Sequence, residues 1–304
     1  MSATGFCQDC FKGTLRGDAE LTGTVETIHG LPSYVAWPEA GTEPKGIVVI
    51  IPDAFGWTLK NSRALADNYA KRGEFLVYLP DFMNGAAPNT WILTIIDGLS
   101  SPSPDWWTTL VLKPWWAIRI ASALLPFGFW TREAVTRPRI IKFFQDLRSS
   151  PAPFATVERL RIGVAGFCWG GYYTVLLAKD LPENQIATPP GSDDDGNIGE
   201  KVSLIDCAFT AHPSLISVPK DIVAVKRPLS VANGPDDAFL GREKMVMLQQ
   251  ILGAQEHIAH EVVVYDGAKH GFAVRGDPRD PKQAELGARA EDQAVSWFRK
   301  HIHQ

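Results

Sequence analysis

Residues 46–51, Gly-Ile-Val-Val-Ile-Ile, form a β-branched run with no polar position. Such a run fits a strand buried on both faces, as in a largely parallel sheet covered by helices on each side. Further apolar runs stand at 74–79, 161–166, 204–210, 228–232 and 261–265. Between them apolar positions return every three or four residues, which predicts helices over 61–72, 138–147, 169–180, 242–252 and 281–300. At the front, 24–28 and 33–37 flank Gly30-Leu31-Pro32 and read as a hairpin. Strands alternating with helices predict an α/β fold with a doubly wound, mostly parallel sheet. One such domain spans 24–304, an arm covers 1–23, and no internal repeat is visible.

Residues 84–136 break this rhythm. They hold six of the ten tryptophans (Trp91, Trp106, Trp107, Trp115, Trp116 and Trp130) among several prolines, a pattern of isolated helical turns in a Trp-rich helical insert. The connection is much longer than the few residues usual between a strand and a helix. Apolar side chains that cannot join the sheet's core must be buried elsewhere. Folding over the sheet edge reached after residue 79 would bury them as a lid, favouring a large apolar or aromatic ligand; the alternative is a packing insert remote from any site. Its most apolar window, 106–130, is interrupted by Lys113, Pro114, Arg119 and Pro126. It therefore lacks the ~20 uninterrupted apolar residues a spanning helix needs. Residues 182–201, with Pro189-Pro190-Gly191-Ser192 followed by three Asp, read as a solvent loop.

Composition narrows the class. Of the 304 residues, 45% are hydrophobic and 21% charged, as in an ordinary globular protein. A net charge of −4 with interspersed signs makes no case for nucleic acid. Asp9 and Lys12 stand where a secretory signal would need apolar residues, so a cytoplasmic location without stable membrane insertion is expected. Four cysteines are too few and too scattered for a disulfide framework. Cys7-Gln-Asp-Cys10 has no second Cys/His pair nearby to complete a zinc site and no βαβ pattern around it. Two reduced thiols are expected there, with no metal and no cofactor. A homodimer and a monomer both remain open.

The chemistry centres on Gly166-Phe167-Cys168-Trp169-Gly170, a G-x-S-x-G nucleophile elbow with Cys in place of Ser, between a predicted strand and helix. So sharp a turn needs small residues on both flanks and pushes the sulfur out above the sheet. The Trp169 N–H, at a helix N-terminus, can help stabilise an oxyanion. In this arrangement an acid and then a His follow, each just after a later strand. Asn233-Gly-Pro-Asp-Asp-Ala-Phe239 follows 228–232, and Asp266-Gly-Ala-Lys-His-Gly-Phe272 follows 261–265. Strand ends gather distant residues, so Cys168, Asp236 or Asp237, and His270 can converge on one sheet edge. His270 would hold the thiolate and then activate water, with the Asp orienting its ring.

The elbow with Cys, Gly-x-x-Asp-x-Phe around Asp237 and His-Gly-Phe around His270 together resemble the dienelactone hydrolase family, particularly its fungal branch. The resemblance implies an α/β-hydrolase fold and a Cys168-Asp237-His270 triad, because the family's acid stands three residues after Gly and two before Phe. Pro52-Asp53-Ala54-Phe55-Gly56 matches the family's segment after the third strand. By that resemblance Asp53 contacts the resting thiol, the Ala54 N–H joins that of Trp169 as the oxyanion hole, and Phe55 lines the substrate site. Bacterial members carry Glu in place of Asp53. Arg275 matches the family's substrate-carboxylate arginine, but the bacterial enzymes' second arginine has no counterpart in Asp81-Phe-Met-Asn-Gly85, which argues against a small dicarboxylate-like dienelactone. Thr210-Ala-His212-Pro-Ser resembles a family segment in which His212 either lines the pocket or is a hydrogen-bonded structural residue. The expected function is hydrolysis of an ester, lactone or thioester of a largely apolar, for instance polyketide-derived, small molecule through an acyl-enzyme. The alternatives are a tailoring enzyme of secondary metabolism, using the same pocket for cyclisation or elimination, and a non-catalytic protein that binds apolar ligands or a membrane surface with the Trp-rich insert as the contact.

Overall fold

The computed structural model describes residues 20–89, 91–92, 95, 99, 105–154, 159–187, 201–275 and 280–303. Its strands are β1 (Thr24–Ile28), β2 (Leu31–Ala36), β3 (Ile47–Ile51), β4 (Leu76–Pro80), β5 (Ile162–Phe167), β6 (Gln185–Ala187), β7 (Lys201–Ser203), β8 (Cys207–Ala211), β9 (Leu229–Asn233) and β10 (His260–Val264). Eight of them form one sheet in the order β1-β2-β4-β3-β5-β8-β9-β10, and β6 and β7 make a separate pair. The β1-β2 and β2-β4 pairings are antiparallel; from β4 to β10 every pairing is parallel. This is the doubly wound, mostly parallel sheet of an α/β-hydrolase fold.

The apolar run at β3 lies at the centre because both of its sides are usable. Ile47, Val49 and Ile51 enter one buried cluster and Val48 and Ile50 the other, the two-residue period of a strand covered on both faces. Helices α1 (Lys60–Gly73), α2 (Lys113–Trp130), α3 (Glu133–Ser149), α4 (Trp169–Ala178), α5 (Lys220–Val223), α6 (Arg242–Gly253) and α7 (Pro281–Ile302) complete the described elements. Leu65 and Tyr69 of α1 share a cluster with Leu286, Ala290 and Phe298 of α7. Phe144 of α3, Tyr173 of α4 and Leu248 of α6 pack in the other. Helix α7 starts where Pro281 occupies the first turn and Asp280 accepts the Gln283 N–H, so its first orphan donors are partly satisfied.

The insert departs from expectation. In place of isolated turns, a π-type turn at Thr108–Leu112 runs directly into α2, so one continuous helix extends from Thr108 to Trp130. Pro114 stands just after the π-type turn, at the start of α2, and Pro126 lies inside α2 near its end; neither splits the helix. By length and composition alone this helix is long and apolar enough to cross a membrane. Leu112, Trp116, Ile120, Ala123, Leu124 and Phe127 are half-buried on the side toward the domain, yet no residue of α2 is fully buried. Trp106, Trp107, Trp115 and Trp130 are exposed, against the expectation that the insert's tryptophans pack away. The arm with Cys7 and Cys10 lies outside the described residues for positions 1–19, as do 188–200 of the expected solvent loop. What is described of that loop contributes β6 and the start of β7.

Candidate active site

Strand β5 delivers the chain to Cys168, whose φ of 51° and ψ of −111° are strained for a residue with a side chain, and α4 begins at the next position. Such strain persists only where the surroundings impose it, and the flanking glycines show how. A Cβ on Gly166 would stand 2.5 Å from the Gly170 carbonyl oxygen, and one on Gly170 2.1 Å from that of Ile51. The Cys168 carbonyl accepts from Gly171 N–H at 3.0 Å and from Ser214 N–H at 2.9 Å, pinning the turn. The sulfur is nearly enclosed and lies 3.4 Å from Ser214 Oγ.

His270 and Asp237 arrive from two further strand ends. Asp237 follows β9 and its Oδ1 accepts the backbone N–H groups of Phe239 (2.8 Å) and Leu240 (3.2 Å), while Oδ2 lies 2.7 Å from His270 Nδ1. Burial would raise this carboxyl's pKa. The His270 hydrogen bond and charge, with the two backbone donors, outweigh it and hold the pKa below the ordinary value. Asp236, one residue away, is exposed. For His270, burial pushes the pKa down, but the charge on the Cys168 sulfur, followed by the hydrogen bonds with Asp237 and Cys168, carries it up to about 10. Asp237 and Cys168 thus both act on the His270 ring.

A second buried group adjoins these residues. Asp53 follows β3; its Oδ1 accepts Phe55 N–H at 3.0 Å and its Oδ2 lies 3.1 Å from Arg275 Nε. Burial raises the Asp53 pKa to about 6, with Arg275 pulling it down and the charge on Cys168 pushing it up. Arg275 is buried and its guanidinium sits 5.3 Å from the Phe55 ring centre, so its charge is held inside the protein against Asp53. His212 is fully buried, with ring centroids 5.0 Å from His270, and among the described residues neither ring nitrogen has a hydrogen-bond partner. Burial, then the His270 and Arg275 charges, hold its pKa well below 6.5, so the ring is neutral. The first N–H groups of α4, Trp169 among them, have no intrahelical acceptor. The closeness of Gly170 to Ile51 and Pro52 brings that helix end beside the turn holding Ala54.

Ser214 is the site residue that sequence reasoning missed. The signal was available in the topology: β5 and β8 are parallel neighbours with Phe167 opposite Ala211, so the residues following each strand emerge side by side. Cys207, in contrast, is buried in β8, and its thiol pKa is driven well up by burial. Among the described residues no cluster of three or more His, Cys, Asp or Glu could hold a metal ion. The arrangement offers a sulfur nucleophile, a proton-carrying imidazole oriented by a carboxylate, and helix N–H groups for a developing oxyanion.

Comparison with known proteins shows the family and the fold. The sequence model of the dienelactone hydrolase family matches residues 31–189 and 197–302. Hydrolase pyvD of Aspergillus violaceofuscus is 25% identical over 304 residues, covering 97% of this chain and 96% of that protein. Hydrolase tropI of Talaromyces stipitatus is 26% identical with the same coverage. The rat carboxymethylenebutenolidase homolog is 25% identical over 84% of this chain and 82% of its own. A crystal structure of a dienelactone hydrolase from Klebsiella pneumoniae superposes with a TM-score of 0.55 at 20% identity, covering 91% of this chain and 97% of that one, a likeness of fold.

Proposed function

The chain belongs to the dienelactone hydrolase family, a family of hydrolases, and from that premise we propose that it cleaves an ester, lactone or thioester of a largely apolar substrate through an acyl-enzyme on Cys168. The observation that carries this reading is geometric: Cys168 stands on the strained elbow, and the buried His270 has its Nδ1 2.7 Å from Asp237 Oδ2. The charged sulfur attacks the carbonyl carbon, and the carbonyl electron pair moves onto oxygen. The N–H groups of Trp169 and Ala54 receive that oxyanion. Collapse breaks the bond to the leaving oxygen or sulfur, and His270 supplies its proton. Water then attacks the thioester while His270, oriented by Asp237, takes a proton from it, and collapse breaks the bond to the Cys168 sulfur, releasing the acid and restoring the charged sulfur beside protonated His270. Asp53 and Arg275 hold the opposite wall: a substrate carboxylate would compete with Asp53 for Arg275, releasing a carboxyl whose pKa of about 6 lets it carry a proton near neutrality.

The inner stripe of α2 supports an apolar substrate. Ile120, Ala123 and Leu124 pack against the cluster containing Phe55 and Phe272, and Phe127 against the one containing Cys168 and Trp169. That one helix packs against both clusters supports reading it as a lid over the sheet edge that carries Cys168, Asp237 and His270. The test is pre-steady-state release of nitrophenol from a p-nitrophenyl ester. One equivalent should appear as a burst, with one acyl group on Cys168 by mass, and both should be absent in Cys168→Ala. Turnover of that variant at the wild-type rate overturns the acyl-enzyme.

A further inference from the structure

Most surface helices turn apolar residues inward and polar ones outward. The helix Thr108–Trp130 is apolar on both sides. Its inner stripe is half-buried on the domain, but Ile118, Leu125 and Phe129, at spacings of seven and four on the opposite side, are 62%, 72% and 55% exposed. Exposure continues through Leu110 and Trp106. Of the fifteen exposed large hydrophobic side chains among the described residues, nine lie between positions 106 and 130. A concentration of that kind marks an interaction surface rather than the scattered apolar residues every surface carries.

We propose that this outward face docks the protein, lying flat, on an anionic lipid membrane surface. Charge selects the partner. From Trp106 to Arg132 the chain carries Lys113, Arg119 and Arg132 and no Asp or Glu. A second copy of the chain related by a twofold axis would set this face against itself, bringing these cations together with no Asp or Glu between positions 106 and 132 to neutralise them. Anionic headgroups accept the same cations favourably. Aromatic placement agrees: tryptophans stand at both ends of the helix, and Arg119 and Arg132 lie 4.5 Å and 4.0 Å from the Trp91 and Phe129 ring centres. Indole rings and cations together suit the headgroup level of a bilayer.

Tertiary anchoring sets the orientation. Thr131 is buried, its carbonyl accepts the Tyr173 hydroxyl at 3.5 Å, and α3 starts two residues later with Ile140 and Phe144 in the core. Spanning the bilayer would strip Ile120, Leu124 and Phe127 from the domain. Docking in the plane leaves them in place and buries only the side now exposed. The docking does not depend on the hydrolytic reading, and its readout is binding.

The experiment is co-sedimentation of the full chain with vesicles of phosphatidylcholine mixed with phosphatidylglycerol, against vesicles of phosphatidylcholine alone, with tryptophan emission followed in parallel. Wild type should sediment with the mixed vesicles and shift its emission to the blue. The double variant Ile118→Glu/Leu125→Glu should lose at least about tenfold in vesicle affinity while keeping its circular-dichroism spectrum and thermal midpoint. Arg119→Gln should lose about fivefold on mixed vesicles, the effect of one cation near such a surface. Absence of wild-type binding, equal binding by the double variant, or equal binding to both vesicle types overturns the proposal. So does a wild-type dimer in sedimentation velocity that the double variant converts to monomer, because the face is then covered by a second copy.

Discussion

Replacing Cys168 with Ala should bring the pKa of His270 down toward that of an ordinary histidine. It stands at about 10 against a reference of 6.5. Three influences act on it: burial downward, the charge on the Cys168 sulfur upward, and the hydrogen bonds with Asp237 and Cys168 upward. Among the upward ones the sulfur's charge is the largest. A single opposite charge at contact distance moves a pKa by about 1–3 units, so Cys168→Ala should lower that of His270 by that amount, leaving Asp237 opposing burial. The assay is a pH titration of the histidine ring protons by NMR, the His270 resonance being identified by its loss in His270→Asn. Wild type should show thiolate ultraviolet absorbance at neutral pH, and the same variant should lose it. A His270 pKa unchanged within about half a unit, far less than one contact charge supplies, would mean that the sulfur does not carry the charge this account assigns to it.

Three other outcomes follow from the same coordinates. Asp237→Asn should reduce turnover by about 10³–10⁴-fold, as loss of the orienting carboxylate does in related triads, whereas Asp236→Asn, on the exposed neighbour, should leave kcat near wild type; the reverse ranking in steady-state kinetics moves the acid. Gly170→Ala places a Cβ 2.1 Å from the Ile51 carbonyl oxygen, with backbone on both sides and nothing able to yield, so urea unfolding should register a loss above about 4 kcal/mol; Gly253→Ala, where nothing lies within 4 Å, is the control. His212 is held neutral in the folded chain with its pKa well below 6.5, so below that pH the unfolded chain binds a proton that the folded chain does not. Stability is therefore lost as pH falls below 6.5, with at most about 1.4 kcal/mol per pH unit from this group, and His212→Asn should remove that slope in urea titrations; an unchanged slope shows that other groups produce it.

The strand and helix pattern was legible because the apolar periods differ physically. The continuous run at 46–51 could only be satisfied by cover on both faces, and the period of α7 left one stripe to bury. The elbow was legible for a related reason: Gly166 and Gly170 are local signatures of a turn that a Cβ would block. The order nucleophile, acid, histidine then followed from strand ends. Which of two adjacent aspartates turns inward was a matter of the tertiary turn after β9, where two backbone N–H groups and His270 capture Asp237 and leave Asp236 in water. Ser214 reaches Cys168 only through the β5–β8 register, a relation between residues 46 positions apart. The helix Thr108–Trp130 was the least legible element. Being apolar on every side, it carries no stripe from which an inward face could be read, and its prolines suggested breaks that the helix does not show. Only packing against the domain decided that Ile120, Leu124 and Phe127 face inward, and so left Ile118, Leu125 and Phe129 facing out.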